Sequence, residues 1–316
     1  MITVLKPGLL TTVQDQGRPG WRSSGMPLSG AMDRQACAFA NLLAGNPPGA
    51  AALELTLAGP TLRFEVGAFA AIAGAGMGAS LDGAPLEPWT AFHVPAGSTV
   101  AFGAAAAGCR SYLAVRGGVD VPTVLGSRST YLRAAVGGFA GRALLPGDRV
   151  PIGASGARMP RPRRLPPSLV PGQGGEVVLR AMAGPQDDLF TAEGLATLWD
   201  ARWRVTPRND RMGYRLEGPG IVHAAGADIV SDALGPGAIQ VPGDGQPIIL
   251  AADAQTTGGY AKIAWVIGPD LGKLAQARAG ASLRFQRCSD EEAVAALRQE
   301  REALEALAAQ LAAEEA

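Results

Sequence analysis

Short apolar runs alternate with glycine- and proline-rich breaks along the chain, a pattern that predicts strands and tight turns. Ala68–Ala73 is a continuous apolar run of strand length. Thr99–Phe102 and Tyr112–Val115 repeat the signal in the first half, and Pro247–Ala252 and Ile263–Ile267 in the second. Asp82-Gly83 predicts a hairpin turn. Three stretches take helical spacing instead. Met32, Ala36, Phe39 and Leu43 share one face of an early helix, with Ser29 as its cap and Gly45-Asn46 as its stop. Asp188–Trp199 predicts a second helix. In the third, residues 290–316, Ser289 and Glu292 form a capping box, and Asp290 and Glu291 complement the dipole of the first turn. Leu297, Leu304 and Leu311 recur every seven residues there, with Val294 and Leu307 beside them. Arg301 interrupts the seam, which favours a helix packed on the body or on a partner over a long coiled coil.

One stretch has no hydrophobic period. ASGARMPRPRRLPPSLVPGQGG, beginning at Ala154, holds five prolines and four arginines and reads as a linker, its arginines either solvated or gripping an acidic surface. The expected organisation is therefore a β-rich domain over 1–155, a linker over 156–175, a second β-rich domain over 176–289 and an acidic helical tail over 290–316. Leu57-Ala58-Gly59-Pro60 is echoed by Leu216-Glu217-Gly218-Pro219, 159 residues further on, which suggests two related units.

Composition narrows the function classes. At 316 residues, two domains is the prior. Lys and Arg (28) balance Asp and Glu (28), which argues against a nucleic-acid partner. The balance is uneven along the chain, since residues 290–316 carry eight acidic and two basic side chains. Gly (43) and Pro (24) make up roughly a fifth of the chain and favour a mainly β fold. Cys37, Cys109 and Cys288 lie far apart, and His93 and His223 have no ligand-like neighbours, so neither a disulfide framework nor a metal site is expected. No leader and no membrane-length apolar segment is read, so a cytoplasmic protein with no membrane partner is expected.

Familiar nucleotide motifs fail on context. Gly74, Gly76 and Ala79 match a dinucleotide fingerprint, but Gly83 and Pro85 arrive too early for the helix that would hold a pyrophosphate, so a glycine-rich β-turn is expected. Gly272-Lys273 is followed by Leu274 rather than the Ser or Thr of a phosphate loop. Polar groups concentrate elsewhere, in three segments. Gln14, Asp15 and Arg18, with Ser29 and Asp33, deliver the chain to a helix N-terminus able to hold an anion or merely to be capped. Arg208 and Arg211 flank Asn209-Asp210 and form either a carboxylate clamp or a solvated turn. Asp253, Gln255, Thr256, Thr257, Gly258, Gly259, Tyr260 and Lys262 lie between two apolar strands, where a rigid scaffold holds functional loops. On chemistry, Asp253 is expected as a base or water-orienting carboxylate, and Lys262, Arg208 and Arg211 as stabilisers of developing negative charge. Gln14, Asp15, Arg18, Ser29, Asp33, Gln255, Thr256, Thr257, Gly258, Gly259 and Tyr260 would position a small-molecule substrate, joined by Arg128 and Ser129.

Several long blocks carry a resemblance: TTVQDQGRPGW, GMPLSGAMDRQACAFANLLAGN, LGSRSTYLRAAVGGFAGRALLPGD, AGPQDDLF, NDRMGYRLEGPG and GAIQVPGDGQPIILAADAQTTGGYAKIAWVI. Over about residues 3–286 the chain resembles the KipA / 5-oxoprolinase C-subunit family, also described as allophanate-hydrolase-subunit-2-like or biotin-dependent carboxyltransferase-like. The resemblance implies two cyclophilin-like β-barrel domains and a site shared with a KipI-like B subunit, in a complex that also holds an A subunit. It implies ATP-dependent opening of 5-oxoproline to glutamate, with ATP acting at the level of the complex and this chain inactive or nearly so alone. Two alternatives follow from the same resemblance: a carboxyltransferase component served by carboxybiotin, and a regulatory protein that binds a KipI-like kinase inhibitor.

Overall fold

A computed structural model describes residues 1–156, 160–172 and 174–315. The chain divides into two compact units, one of residues 1–18, 29–173 and 301–316, the other of 19–28 and 174–300. Two short segments thus fold away from their sequence neighbours: 19–28 belongs with the second unit and 301–316 with the first.

The first unit is built from two six-stranded sheets. One runs in the order Arg149–Val150, Ile2–Lys6, Thr61–Phe64, Thr99–Ala101, Ser80–Leu81, Ala84–Pro85. The other runs Arg163–Arg164, Thr90–Val94, Ala68–Gly74, Arg110–Val115, Ala52–Thr56, Leu10–Gln14. Ile2, Val4, Leu62, Phe64 and Val100 of the first meet Leu53, Leu55, Ala70, Ile72 and Leu113 of the second in one buried cluster. The opposite face of the second sheet presents Phe69, Ala71, Ala73 and Tyr112 to a helix, α1 (Arg34–Ala44). Burial on both faces is why Ala68–Gly74 reads as an unbroken apolar run: neither side can carry polar groups. Asp82 (φ 47°) and Gly83 (φ 87°) make the expected hairpin as a turn with both central residues left-handed.

The early helix starts later than its expected cap. Asp33 is the N-cap, its Oδ1 accepting from the Ala36 N–H at 3.0 Å, and Gly45 (φ 78°) closes the C-terminus. Ser29 instead sits at φ 53°, buried, with no partner for its Oγ. The stretch expected as a linker also departs from that reading where it is described. Arg163–Arg164 pairs with Thr90 and Ala91, Leu165 is fully buried, and the Arg163 Nε donates to the Leu43 carbonyl at 2.8 Å, at the C-terminal end of α1. Residues 157–159 and 173 of that stretch lie outside the described residues.

The second unit is a closed seven-stranded barrel: Val177–Ala183, Lys262–Val266, Ala238–Gln240, Ile248–Leu250, Gly213–Glu217, Trp203–Val205, Ser282–Arg287. A parallel ladder between Val177–Ala183 and Ser282–Arg287 closes it. A separate two-stranded ribbon pairs Asp228–Ala233 with Thr257–Tyr260, so the segment expected as a loop between two strands itself contains a strand. The expected helix over Asp188–Trp199 is shorter, α2 (Ala192–Asp200), because Thr191 caps it, accepting from the Gly194 N–H at 3.0 Å, while Phe190 stays extended and stacks on His223. A third helix, α3, covers Leu271–Gln276. The C-terminal helix, α4 (Asp290–Glu315), begins with the expected capping box: the Ser289 N–H donates to Glu292 Oε2 at 2.8 Å and the Glu292 N–H to Ser289 Oγ at 3.2 Å. Its Leu307 and Leu311 are buried in the cluster that contains α1. Among the described residues, no helix is long and apolar enough to cross a membrane.

Candidate functional site

Lys262 opens a barrel strand beside a β-bulge. Ile239 pairs with Ala264 but Gln240 pairs with Lys262, leaving one extra residue on the Lys262 strand. Consecutive residues Lys262 and Ile263 are consequently both removed from solvent, which a regular strand forbids when one face is wet. The Lys262 ammonium is held by the Asp232 carboxylate and by the Ala233 carbonyl at 3.0 Å. Asp232 lies on the ribbon, with its side chain 49% exposed against 2% for Lys262. Gln186 bridges the two: its Nε2 donates to Asp232 Oδ2 at 3.3 Å, and its Oε1 accepts from the Lys262 backbone N–H at 3.2 Å. The Lys262 hydrogen bond first, then the Ala233 N–H and the Lys262 charge, hold the Asp232 carboxyl below its usual range. Gln240 Nε2 donates to the Tyr260 carbonyl at 3.1 Å and ties the ribbon to the barrel.

Chemically this is a buried cation fixed by a carboxylate that itself faces water. The ammonium can stabilise negative charge developing on a substrate oxygen, and the exposed carboxylate, kept ionised by that ammonium, can accept a hydrogen bond from water and orient it. Asp232 and Gln186 were not singled out in the sequence, because nothing in their local pattern marks them. Arg22 was also missed: it lies in the 19–28 segment, and a Cβ at Gly235 would meet its Nη1 at 2.5 Å, so the guanidinium rests directly on the Gly235 backbone.

Asp253 and Lys262 have different partners. Both Asp253 carboxylate oxygens are taken by Arg211, Nε–Oδ2 at 2.9 Å and Nη2–Oδ1 at 3.1 Å, and both side chains are buried. Two residues assigned separate roles thus form one bidentate pair, which the Asp253 N–H donating to the Arg211 carbonyl at 2.8 Å reinforces. Arg208 is exposed. Gln255, Thr257 and Tyr260 are exposed, while Thr256 offers its carbonyl to the Leu234 N–H at 2.9 Å. Gly258 and Gly259 belong to the ribbon, where a Cβ at Gly258 would meet Leu234 Cδ1 at 2.5 Å.

The first unit gathers the N-terminal candidates around Asp15. Its Oδ1 accepts from the Gly17 N–H at 2.8 Å, from Ser127 Oγ at 2.7 Å and from Ser129 Oγ; its Oδ2 accepts from the Arg128 N–H at 2.6 Å. The carboxylate thereby fixes the 127–130 loop. Arg18 Nη2 donates to the Ser129 carbonyl at 2.5 Å, and Gln14 Nε2 to Thr12 Oγ1 at 3.0 Å and the Thr130 carbonyl at 3.2 Å. The Arg128 guanidinium turns to the Val121 carbonyl (2.7 Å) and Asp120 (2.9 Å). Gln14 Oε1 and Ser29 Oγ remain buried without a hydrogen-bond partner.

The anion site expected at the α1 N-terminus is filled by the chain's own carboxylates. Asp33 caps the helix, its N–H donates to the Tyr112 hydroxyl at 2.8 Å, and Glu54 Oε2 accepts from the Met32 N–H at 2.8 Å and from the Tyr112 hydroxyl at 2.7 Å. Burial, then the Glu54 and Asp33 charges, push the Tyr112 hydroxyl well above its ordinary pKa, so it remains a hydrogen-bond donor. No group of three or more His, Cys, Asp or Glu able to hold a metal occurs among the described residues. Gly272-Lys273 lies within α3, with Lys273 paired to Asp270 at 2.9 Å, and the Gly74–Ala79 stretch runs into a hairpin. Neither leads into a helix N-terminus as a phosphate loop or dinucleotide fingerprint requires.

Comparison with known proteins gives the family. The family model described as "Carboxyltransferase domain, subdomain A and B" matches residues 24–287. The chain belongs to this family. It is 41% identical to the 5-oxoprolinase C subunit of Escherichia coli over 310 residues, 98% of each chain. It is 38% identical to the Haemophilus influenzae protein of the same name, over 93% of each. Among solved structures, the urea amidolyase of K. lactis superposes with a TM-score of 0.92 at 31% identity, covering 97% of this chain and 20% of that one. The chain therefore spans about a fifth of that protein's length.

Proposed function

We propose that this chain is the C subunit of an ATP-dependent 5-oxoprolinase, working with a KipI-like B subunit, plus an A subunit, to open 5-oxo-L-proline to L-glutamate. One observation carries the reading: identity of 41% to a 5-oxoprolinase C subunit extends over 98% of both chains, whereas likeness to the urea enzymes covers only a small part of theirs. ATP is assigned to the complex, and the contribution of this subunit is electrostatic. Lys262 stabilises negative charge on the lactam oxygen, Asp232 orients the attacking water, and Gln186 keeps the two in register. Arg211 and Asp253 hold the 251–254 turn rigid.

The test is reconstitution. With the A and B subunits, 5-oxoproline and ATP, glutamate and ADP should appear in equal amounts, and the chain alone should turn over nothing. Turnover that requires bicarbonate and carboxybiotin instead would favour the second reading, a biotin-served carboxyltransferase component, for which the K. lactis structural likeness speaks. Binding of a KipI-like protein with no turnover by the complex would leave a regulatory role.

A further inference from the structure

Apart from both polar clusters, the glycine-rich turn of the first unit borders a cavity of about 500 Å³, within the range of small-molecule sites. Ile72, Met77, Leu86 and Pro88 contribute apolar lining, and Gly76, Gly78 and Ala79 of the turn also border it. Hydrogen bonding in that backbone is lopsided. The carbonyls of Gly76, Met77 and Ala79 accept from the N–H groups of Ala106 (3.1 Å), Gly103 (2.7 Å) and Leu86 (2.8 Å). Among the described residues, no acceptor takes the N–H of Gly76, Met77, Gly78 or Ala79. Met77 and Ala79 are nevertheless 2% and 7% exposed, while Gly76 is half-buried and Gly78 exposed. Unbonded amides are rare where water is scarce, so the two at the buried positions, Met77 and Ala79, call for an oxygen ligand, with the Gly76 and Gly78 amides beside them. Gly78 is left-handed at φ 53°, a conformation found in the concavities by which successive amides bind anions. Glu87, the carboxylate on the lining, is exposed and lies 3.9 Å from Arg164.

We propose that this cavity binds a small carboxylate with an apolar body, its oxygens on the amides of residues 76–79 and its body against Ile72, Met77 and Leu86. Gly76 gives a clean way to block it. Its φ lies outside the left-handed region, and a Cβ there meets nothing within 4 Å, so a side chain enters open space without backbone strain. The probe is 1-naphthylacetate, followed by ligand-observed NMR titration of the full chain, with 1-naphthaleneethanol as the uncharged analogue. Saturable binding is expected, weakened about tenfold or more in Gly76→Leu at an unchanged melting temperature, and weakened comparably for the alcohol. Hydrogen exchange of the 75–80 segment of the unsubstituted chain should slow when the carboxylate is added. That measurement decides the matter if Gly76→Leu folds poorly. Equal affinity for acid and alcohol, unchanged exchange in that segment, or no saturation by about 5 mM probe would overturn the proposal.

Discussion

Leu307 and Leu311 test whether the C-terminal helix is part of the first unit's core. They are 2% and 6% exposed, within the cluster that also holds Phe39, Leu43, Phe69 and Tyr112. Val294 and Leu297, on the same helix, are 46% and 56% exposed. A tail that was only an assembly device would tolerate both kinds of truncation, and deletion of 290–316 would leave both units intact. The burial argues otherwise. Each Leu→Ala at a well-packed site costs about 2–5 kcal/mol, because transfer free energy and a residual cavity add. Helix ends relax more readily than a core centre, so the low end applies and the double variant should lose about 4 kcal/mol. For a unit of this size that is a fall of roughly 10 °C in melting temperature. Scanning calorimetry of Leu307→Ala/Leu311→Ala against Val294→Ala/Leu297→Ala reads it directly. The exposed pair should change stability by no more than about 0.5 kcal/mol per site. Equal effects from the two pairs, or none from the buried pair, would refute the assignment of residues 301–316 to this core.

Three further outcomes are expected. Lys262→Met should fold, since Asp232 is half-exposed and can be solvated, yet lower kcat of the reconstituted complex about 10²–10³-fold with a smaller change in KM; a folded, fully active variant would remove Lys262 from the mechanism. Arg211→Met leaves Asp253 as an unpaired charge at 3% exposure and should cost about 3–5 kcal/mol in urea unfolding, partly recovered in Arg211→Met/Asp253→Leu; a single variant as stable as the parent would show that the pair holds nothing. Acid should unfold both units. Burial opposes ionisation of Asp270, but hydrogen bonds from the Arg180 side chain and backbone and from Lys273 outweigh it and lower its pKa, while Arg142 does the same for Asp148. Carboxylates held below their unfolded values add stability above a pH of about 4, and that stability is lost as pH falls through the folded values. Melting temperature should accordingly stay level from neutrality to about pH 5 and then drop, with a shallower drop in Asp270→Asn; an identical acid limb in that variant would contradict the linkage.

Strands were readable where burial is two-sided, as at Ala68–Gly74, or where a turn pair such as Asp82-Gly83 fixes a hairpin. Boundaries failed where two residues compete for one task. Ser29 and Asp33 are both good caps by type, and the choice falls to Asp33 because Glu54 and Tyr112 hold the chain at Met32 and Asp33. Neither contact has any local trace, since each bridges residues far apart in the sequence. The Pro/Arg-rich stretch misled for a related reason. Its lack of periodicity is real, but a two-residue edge strand needs none, and the carbonyls at the end of α1 recruit Arg163.

The candidate site divides along the same line. Lys262 stood out because a lysine at the mouth of an apolar strand is out of place, and its neighbours are turn-forming and polar. Asp232 gave no such sign: in Ile229-Val230-Ser231-Asp232-Ala233 it reads as one polar residue on a mixed strand. Its importance is created by pairing. Asp228 faces Tyr260 while Asp232 faces Gly258, so the Asp232 strand carries two more residues than its partner over that interval. The neighbouring barrel strand carries its own extra residue beside Lys262. Side chains alternate from face to face along a strand, so a slip of one residue in either ladder would turn one member of the pair away from the other. What brings ammonium and carboxylate together is two register irregularities on adjoining ladders. A site specified that way is a property of the folded sheets and cannot be spelled as a motif.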